Sequence, residues 1–223
     1  MLVKHWMSKD VVTVDEEASM MEVSQLMREH NIRRVPVLNK RGKLVGIVTD
    51  RDIKAASPSK ATTLDVHELY YLLSKLKVKE VMTKNPFTID PEDTVEKAAV
   101  IMLAKKVAGL PVVDKKGDLV GIMTQGDVFR VLTSITGVYQ GGILFAFELE
   151  DRSGSIKEVA DVIRSHGGRL TSILTSYDTA PKGHRNVFLR AQNISEEDLP
   201  TLLDELKSKF KFLYHVQDEL KGI

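Results

Sequence analysis

The sequence predicts an α+β fold made of two unlike parts, and three observations predict it. Sliding the chain against itself by 75 residues lays positions 3–53 on 78–128 without a gap, with 18 of 51 positions identical. Within each copy the apolar spacing switches from helical to alternating and back, the mark of mixed helix and strand. Beyond Thr136-Gly137 the repeat stops and a different alternation begins. A copy of about 50 residues is small for a core of its own, so two copies are expected to pack face to face.

Each copy reads in the same order. A short β segment (11–14 and 87–89) precedes an acidic turn. Ser19 then opens a helix with Glu22 three residues on, a capping box. Thr94 opens its counterpart, where Lys97 cannot complete the box. Met20, Val23 and Met27, and Val95, Ala98, Ala99 and Met102, recur at helical spacing. Two strands follow (35–38 and 44–48; 110–113 and 119–123), joined by Asn39-Lys40-Arg41-Gly42 and Asp114-Lys115-Lys116-Gly117, which read as hairpin loops. Thr49 and Thr124 end the second strand and can cap the next helix. The order is β-α-β-β-α, twice. Between the copies Ser57-Pro58-Ser59 breaks the helix, and 64–76 forms an amphipathic packing helix with Val66, Leu69, Tyr70, Leu73 and Leu76 on one side.

In the second part Gly141-Gly142 marks a boundary and 143–149 alternates like a strand. Asp151-Arg152-Ser153-Gly154 turns into a helix carrying Ile156, Val159, Val162 and Ile163, which Gly167-Gly168 stops. Strands at 170–177 and 186–192 follow. Ser195 caps a helix whose buried stripe is Leu199, Leu202, Leu203 and Leu206, and 212–216 closes as a strand. This β-α-β-β-α-β order is that of a split βαβ or ferredoxin-like unit. The expected organisation is a first repeat at 1–56, a connecting helix at 57–77, a second repeat at 78–136 and the ferredoxin-like unit at 142–218.

Composition excludes several functions. Lys and Arg number 32 against 31 Asp and Glu, a formal net charge of +1, so no global field draws the chain to nucleic acid or an anionic membrane. There is no cysteine, hence no disulfide, thiolate metal site or Cys nucleophile. The apolar runs are far shorter than the roughly 20 residues of a membrane span, and the first ten residues lack a secretory h-region. The expectation is a cytoplasmic protein that meets neither membrane nor nucleic acid. No Walker A loop, G-x-S-x-G elbow, H-E-x-x-H or dinucleotide fingerprint occurs, and the six histidines show no metal-ligand spacing. The expectation is therefore no enzyme, no catalytic residue, no metal and no cofactor.

The informative constellation is Gly46-Ile47-Val48-Thr49-Asp50-Arg51-Asp52, repeated as Gly121-Ile122-Met123-Thr124-Gln125-Gly126-Asp127. Thr49 stands where a strand meets a helix N-terminus, a place that suits an anion. Asp52, one turn on, can accept two hydrogen bonds from a vicinal diol such as a ribose, and Asp127 repeats the arrangement. The plainer alternative is that Thr only caps the helix and Asp only favours its first turn.

With IRRVPVLNKRGKLVGIVTDRDI in one copy and VAGLPVVDKKGDLVGIMTQGDV in the other, the repeat resembles a tandem CBS domain pair. That resemblance implies a regulatory sensor of AMP, ADP, ATP or S-adenosylmethionine. It implies that Asp52 and Asp127 hold ribose hydroxyls and that Thr49 and Thr124 hold phosphate or ribose. Val14, Val35 and Pro36, with Ile89, Leu110 and Pro111, would line adenine pockets. Arg33 and Arg34 are candidates for phosphate contacts; Ala108 and Gly109 replace them in the second copy, which leaves that site without a local cation. From FELEDRSGSIKEVADVIRSHGGRLTSI the second part resembles an ACT domain, which implies a second small-molecule effector at Asp151, Arg152, Ser153 and Gly154. Arg169 stands where many amino-acid-binding ACT domains carry Asn. The combination, with TDRDIKAASPS after the first repeat, is similar to the acetoin utilisation protein B (AcuB) family, which implies regulation of acetoin or butanediol catabolism. A protein-interaction module with vestigial nucleotide sites is the alternative. A homodimer is expected, formed through helix faces such as Met20, Val23, Met27, Val95, Ala99 and Met102 and through an edge beginning at Ile143, Phe145 and Phe147.

Overall fold

Local chemistry sets the first helix. Ser19 Oγ accepts the Glu22 backbone N–H at 3.2 Å while the Glu22 carboxylate accepts the Ser19 N–H at 2.6 Å. This closed capping box starts α1 (Met20–Glu29). Thr94 caps α4 (Val95–Lys105) by accepting the Lys97 N–H at 3.2 Å, and Lys97 pairs with Asp93 instead of closing a box. In the hairpin loops the Asn39 side chain accepts the N–H groups of Arg41 and Lys43, and Asp114 those of Lys116 and Asp118. Gly42 and Gly117 supply the positive φ that each loop needs, +71° and +79°.

The computed structural model describes residues 1–56, 71 and 73–217 and divides into two compact units, Met1–Val128 and Phe129–Ile223. In the first, β1 (Val14–Asp15) runs parallel to β2 (Arg34–Leu38), which pairs antiparallel with β3 (Leu44–Thr49). α2 (Asp50–Ala56) follows β3 directly. α3 (Val78–Val81) leads to β4 (Thr83–Lys84), then α4, β5 (Gly109–Val113), β6 (Leu119–Thr124) and α5 (Gln125–Ile135). The expected strand at 87–89 is reduced to a parallel bridge from Ile89 to Val112. Most of the expected packing helix at 64–76 lies outside the described residues; of its stripe, Leu73 is buried against the first repeat's core and Leu76 packs beside it.

The leading segment of each repeat completes the other repeat. β4, which opens the second copy, adds to β3 of the first, with Thr83 opposite Ile47. Ser8, from the first copy, bridges Ile122 on β6. The ion pairs repeat as well: Lys79–Glu17 at 2.7 Å and Lys4–Glu92 at 2.8 Å. Two glycines make room for these arms. A Cβ on Gly46 would collide with Met82 Sδ, and one on Gly121 with Met7 Sδ.

The second unit runs β7 (Ile143–Glu150), α6 (Ser155–Ser165), β8 (Arg169–Ser176), β9 (His184–Gln192), α7 (Asp198–Lys209) and β10 (Lys211–Gln217). The sheet order is β10-β7-β9-β8, antiparallel throughout. Phe145, Phe147, Val187 and Leu189 from the sheet pack with Val159, Ile163, Leu202 and Leu206 from the two helices. Ser195 caps the turn before α7 by accepting the Asp198 N–H at 3.0 Å, so the helix starts later than its cap suggested. Gly167 has φ +77° and ends α6.

Two expectations about exposed surface are overturned. Met20, Val23, Met27, Val95 and Met102 are buried inside the first unit, so they do not offer a dimer face. β7 lies between β10 and β9, so Ile143, Phe145 and Phe147 are central and buried; the sheet edges are β8 and β10. In each case one side of an amphipathic element is spent on the chain's own core.

Candidate functional site

Alternation decides which side chains can face a ligand. On β2, Val35 and Val37 point into the core shared with α1, and neither has exposed surface. Arg34 and Pro36 therefore lie on the opposite face. Their cross-strand partners on β3 are Thr49 and Ile47. In the second repeat the matching pairs are Gly109 with Thr124 and Pro111 with Ile122. Val35 and Leu110, expected to line adenine pockets, have fully buried side chains, which leaves only their backbones for such a contact. Val14 and Ile89 are also buried, at 8% and 3% exposure. Ile47 and Ile122 share the opposite face with Pro36 and Pro111; Ile47 and both prolines are buried there and Ile122 is half-buried. The sequence reading missed the two isoleucines, although stepping back two residues from each threonine finds them.

The two T-x-x-D motifs share one donor pattern, to which the second adds the Asp127 N–H donated to Thr124 Oγ1 at 3.3 Å. Asp52 Oδ2 accepts the Thr49 N–H at 2.7 Å and the Thr49 hydroxyl at 2.7 Å. Asp127 Oδ2 accepts the Thr124 N–H at 2.8 Å and the hydroxyl at 2.7 Å. Each carboxylate thus caps its own strand–helix junction through one oxygen. Asp52 Oδ1 accepts no hydrogen bond from the described residues, so it is available to a diol. Asp127 is the more enclosed of the two, at 8% exposure, against half-buried for Asp52.

The two arginines before Pro36 differ. Arg33 is exposed. Arg34 is half-buried and its side chain lies over Gly109: a Cβ there would stand 2.7 Å from Nη1 and 2.9 Å from Cδ. Burial holds its pKa below the ordinary arginine value, with Asp50 pulling it back up, Arg33 pushing further down, and Asp127 pulling up. The second repeat therefore does not lack a nearby cation, as Ala108 and Gly109 suggested; Gly109 admits one from the first repeat. An open pocket of 610 Å³ lies elsewhere, beside β3 and β4, lined by Val45, Met82, Glu16, Lys79, Glu80, Lys84 and Asn85. None of the expected site residues lines it.

In the second unit the turn Asp151 to Gly154 joins β7 to α6, and Gly154 takes φ +87°. Arg152 is gripped by Glu158 at 2.7 Å through two parallel hydrogen bonds and by Glu150 at 3.1 Å. These bonds raise the Arg152 pKa, Glu158 most of all, and lower that of Glu158. Asp151 stands 3.5 Å from Arg185 and accepts the Tyr177 hydroxyl at 3.4 Å. Ser153 is exposed. Among the described residues no cluster of three His, Asp or Glu side chains could hold a metal ion, and no helix is long and apolar enough to cross a membrane.

Comparison with known proteins places the repeats. A CBS domain-containing protein of Dictyostelium discoideum is 35% identical over 134 residues, 60% of this chain and 92% of that one. An inosine-5'-monophosphate dehydrogenase of Korarchaeum cryptofilum is 43% identical over 121 residues, 54% of this chain but 22% of the enzyme. Among solved structures, a CBS domain pair in complex with 5'-methylthioadenosine and S-adenosyl-L-methionine is 32% identical with a TM-score of 0.50, covering 59% of this chain and 95% of that one. The pair protein CBSX2 of Arabidopsis thaliana, solved in complex with AMP, is 32% identical with a TM-score of 0.50, covering 60% and 98%. A Vibrio cholerae protein assigned to acetoin utilization (AcuB) is 27% identical with a TM-score of 0.51, covering 63% and 96%. The sequence profile of the CBS domain matches residues 3–59 and again 78–134, half of the chain, and the chain belongs to the CBS domain family as a tandem pair.

Proposed function

We propose that this protein is a non-catalytic regulatory sensor whose CBS pair binds an adenosyl ligand: AMP, ADP, ATP or S-adenosylmethionine. The observation that carries the reading is the duplicated Thr–Asp junction, with the same donor pattern to one carboxylate oxygen in each repeat. Asp52 and Asp127 receive the ribose diol, Thr49 and Thr124 the ribose or phosphate, Arg33 and Arg34 the phosphate. Pro36 with Ile47, and Pro111 with Ile122, flank the adenine. The complexes of similar pairs with AMP and with S-adenosyl-L-methionine support this choice of ligand class.

The second unit acts as an ACT-like regulatory domain in this reading, supported by its element and strand order. Asp151, Ser153 and Gly154 are its effector contacts; Arg152, already held by two glutamates, orders the turn. The protein works in the cytoplasm, and its place in acetoin or butanediol catabolism rests on the likeness to the AcuB structure. Thermal unfolding with and without AMP, ATP and S-adenosylmethionine tests the central claim. A ligand at 100 times its Kd adds about 2.7 kcal/mol to folded-state stability. No shift with any of the three sinks the sensor reading and leaves an interaction module whose T-x-x-D motifs only cap helices.

A further inference from the structure

Two pairs of positions related by the 75-residue repeat touch each other in the first unit. Lys43 Nζ donates to Asp118 Oδ1 at 2.6 Å, and Arg34 lies over Gly109. Position 118 is the repeat equivalent of 43, and 109 of 34. Residues that meet their own equivalents lie on the pseudo-twofold axis between the repeats. A strict duplication would put like against like there: two lysines in one place, two guanidinium groups in the other. The chain has Lys against Asp and Arg against Gly instead. A single guanidinium therefore occupies the position that two would dispute, and the missing Cβ at Gly109 is what admits it.

The strand framework around that guanidinium is repeated on both sides. The backbone of Arg34 pairs with Thr49, and that of Gly109 pairs with Thr124. Arg34 thus belongs to a strand pair that ends in one T-x-x-D motif and lies over the equivalent position of the other, and it feels carboxylates from both repeats, Asp50 and Asp127. Lys43, the other cation on the axis, is already paired. Among the described residues Arg34 has no ion pair and no side-chain hydrogen bond, although it is half-buried.

We propose that Arg34 is one anion-recognition group shared by both repeats, so that the pair holds a single phosphorylated adenosyl ligand tightly, whereas an uncharged adenosyl ligand fills the two repeats independently. This rests on the adenosyl reading above and adds the ligand's charge and the stoichiometry. Arg33 is exposed and has no counterpart in the second repeat, where Ala108 stands, so once one phosphate has taken the Arg34 guanidinium a second would face the first anion without a half-buried guanidinium of its own. A neutral ligand uses only the ribose carboxylates and the apolar faces, which the two repeats carry at equivalent positions.

Calorimetry on the full chain tests this, with AMP and 5'-methylthioadenosine as probes. AMP is expected to give one tight event per chain and a second at least about tenfold weaker, while 5'-methylthioadenosine gives two events of similar affinity. Arg34→Met is expected to weaken the tight AMP event by about 10- to 150-fold, the range for a hydrogen bond to a charged group, and to leave 5'-methylthioadenosine unchanged. Arg34→Lys restores part of the AMP affinity. Should Arg34→Met fail to fold, Gly109→Ala moves the guanidinium without removing its charge, and the same selective loss of AMP is expected. Equal AMP affinity in both repeats, a single event for 5'-methylthioadenosine, or an intact tight AMP event in a folded variant overturns the sharing while the adenosyl reading stands. No binding of either probe overturns this inference; the adenosyl reading falls only when ATP and S-adenosylmethionine fail to bind as well.

Discussion

Asp52 carries two demands on one carboxylate. One oxygen accepts both the backbone N–H and the hydroxyl of Thr49, which starts α2; the other is left for a ligand. Removing the side chain therefore costs more than affinity. Asp52→Ala is expected to weaken adenosyl binding by about 1.5–3 kcal/mol, as for a hydrogen bond to a charged group. It is also expected to lower folding stability by about 0.5–2 kcal/mol through the lost cap. Calorimetry reads the first and urea unfolding the second. Asp52→Asn keeps an acceptor for Thr49, so it separates the two effects: stability near wild type, affinity reduced. Unchanged affinity in both variants removes the ribose role.

At the scale of an element, α1 shows how much of a helix is set before packing begins. Its capping box is closed in the structure as the Ser19-to-Glu22 spacing predicts. The Ser19 backbone N–H is the main cause that lowers the Glu22 pKa, followed by the Ser19 hydroxyl. A carboxylate with a depressed folded-state pKa stabilises the fold above its unfolded pKa of about 4.3. That contribution is lost as pH falls through the lower folded-state value. The urea midpoint is thus expected to drop between pH 7 and pH 3 by more in the wild type than in Glu22→Gln. An identical drop in both would show that the box does not contribute. α4 is started by Thr94 alone, with Lys97 pairing to Asp93, so no such pH dependence is expected from its third position.

At the scale of the whole molecule, we expect a homodimer, but through surfaces other than those the amphipathic pattern named. The inward stripe of α4 is buried, while Val100 and Leu103 remain 64% and 77% exposed one turn apart. On β10, an edge strand, Leu213, Tyr214 and Val216 stay more than 40% exposed. An edge of that kind invites pairing with another chain. Light scattering at micromolar concentration is expected to give twice the 25.0 kDa of one chain, and Leu103→Glu to shift the mass toward the monomer if α4 carries the contact. A wild-type mass of 25.0 kDa rules the dimer out.

What the sequence determined by itself is local or duplicated. Caps, hairpin loops, the element order of the second unit, most of that of the first and the T-x-x-D motifs all depend on residues a few positions apart, and the 75-residue repeat doubles the signals of the first unit. The tertiary structure alone decided three things. It set which face of a strand a residue occupies, so that Ile47 and Ile122 join the candidate site while the Val35 and Leu110 side chains leave it. It exchanged the leading arms, putting Met7 on Gly121 and Met82 on Gly46. It also carried Arg34 across to Gly109, where a reading copy by copy found a repeat without a cation. The physical reason is the same each time: burial and the pseudo-twofold axis join residues distant in the chain, and periodicity within one repeat holds no record of what the other repeat places against it.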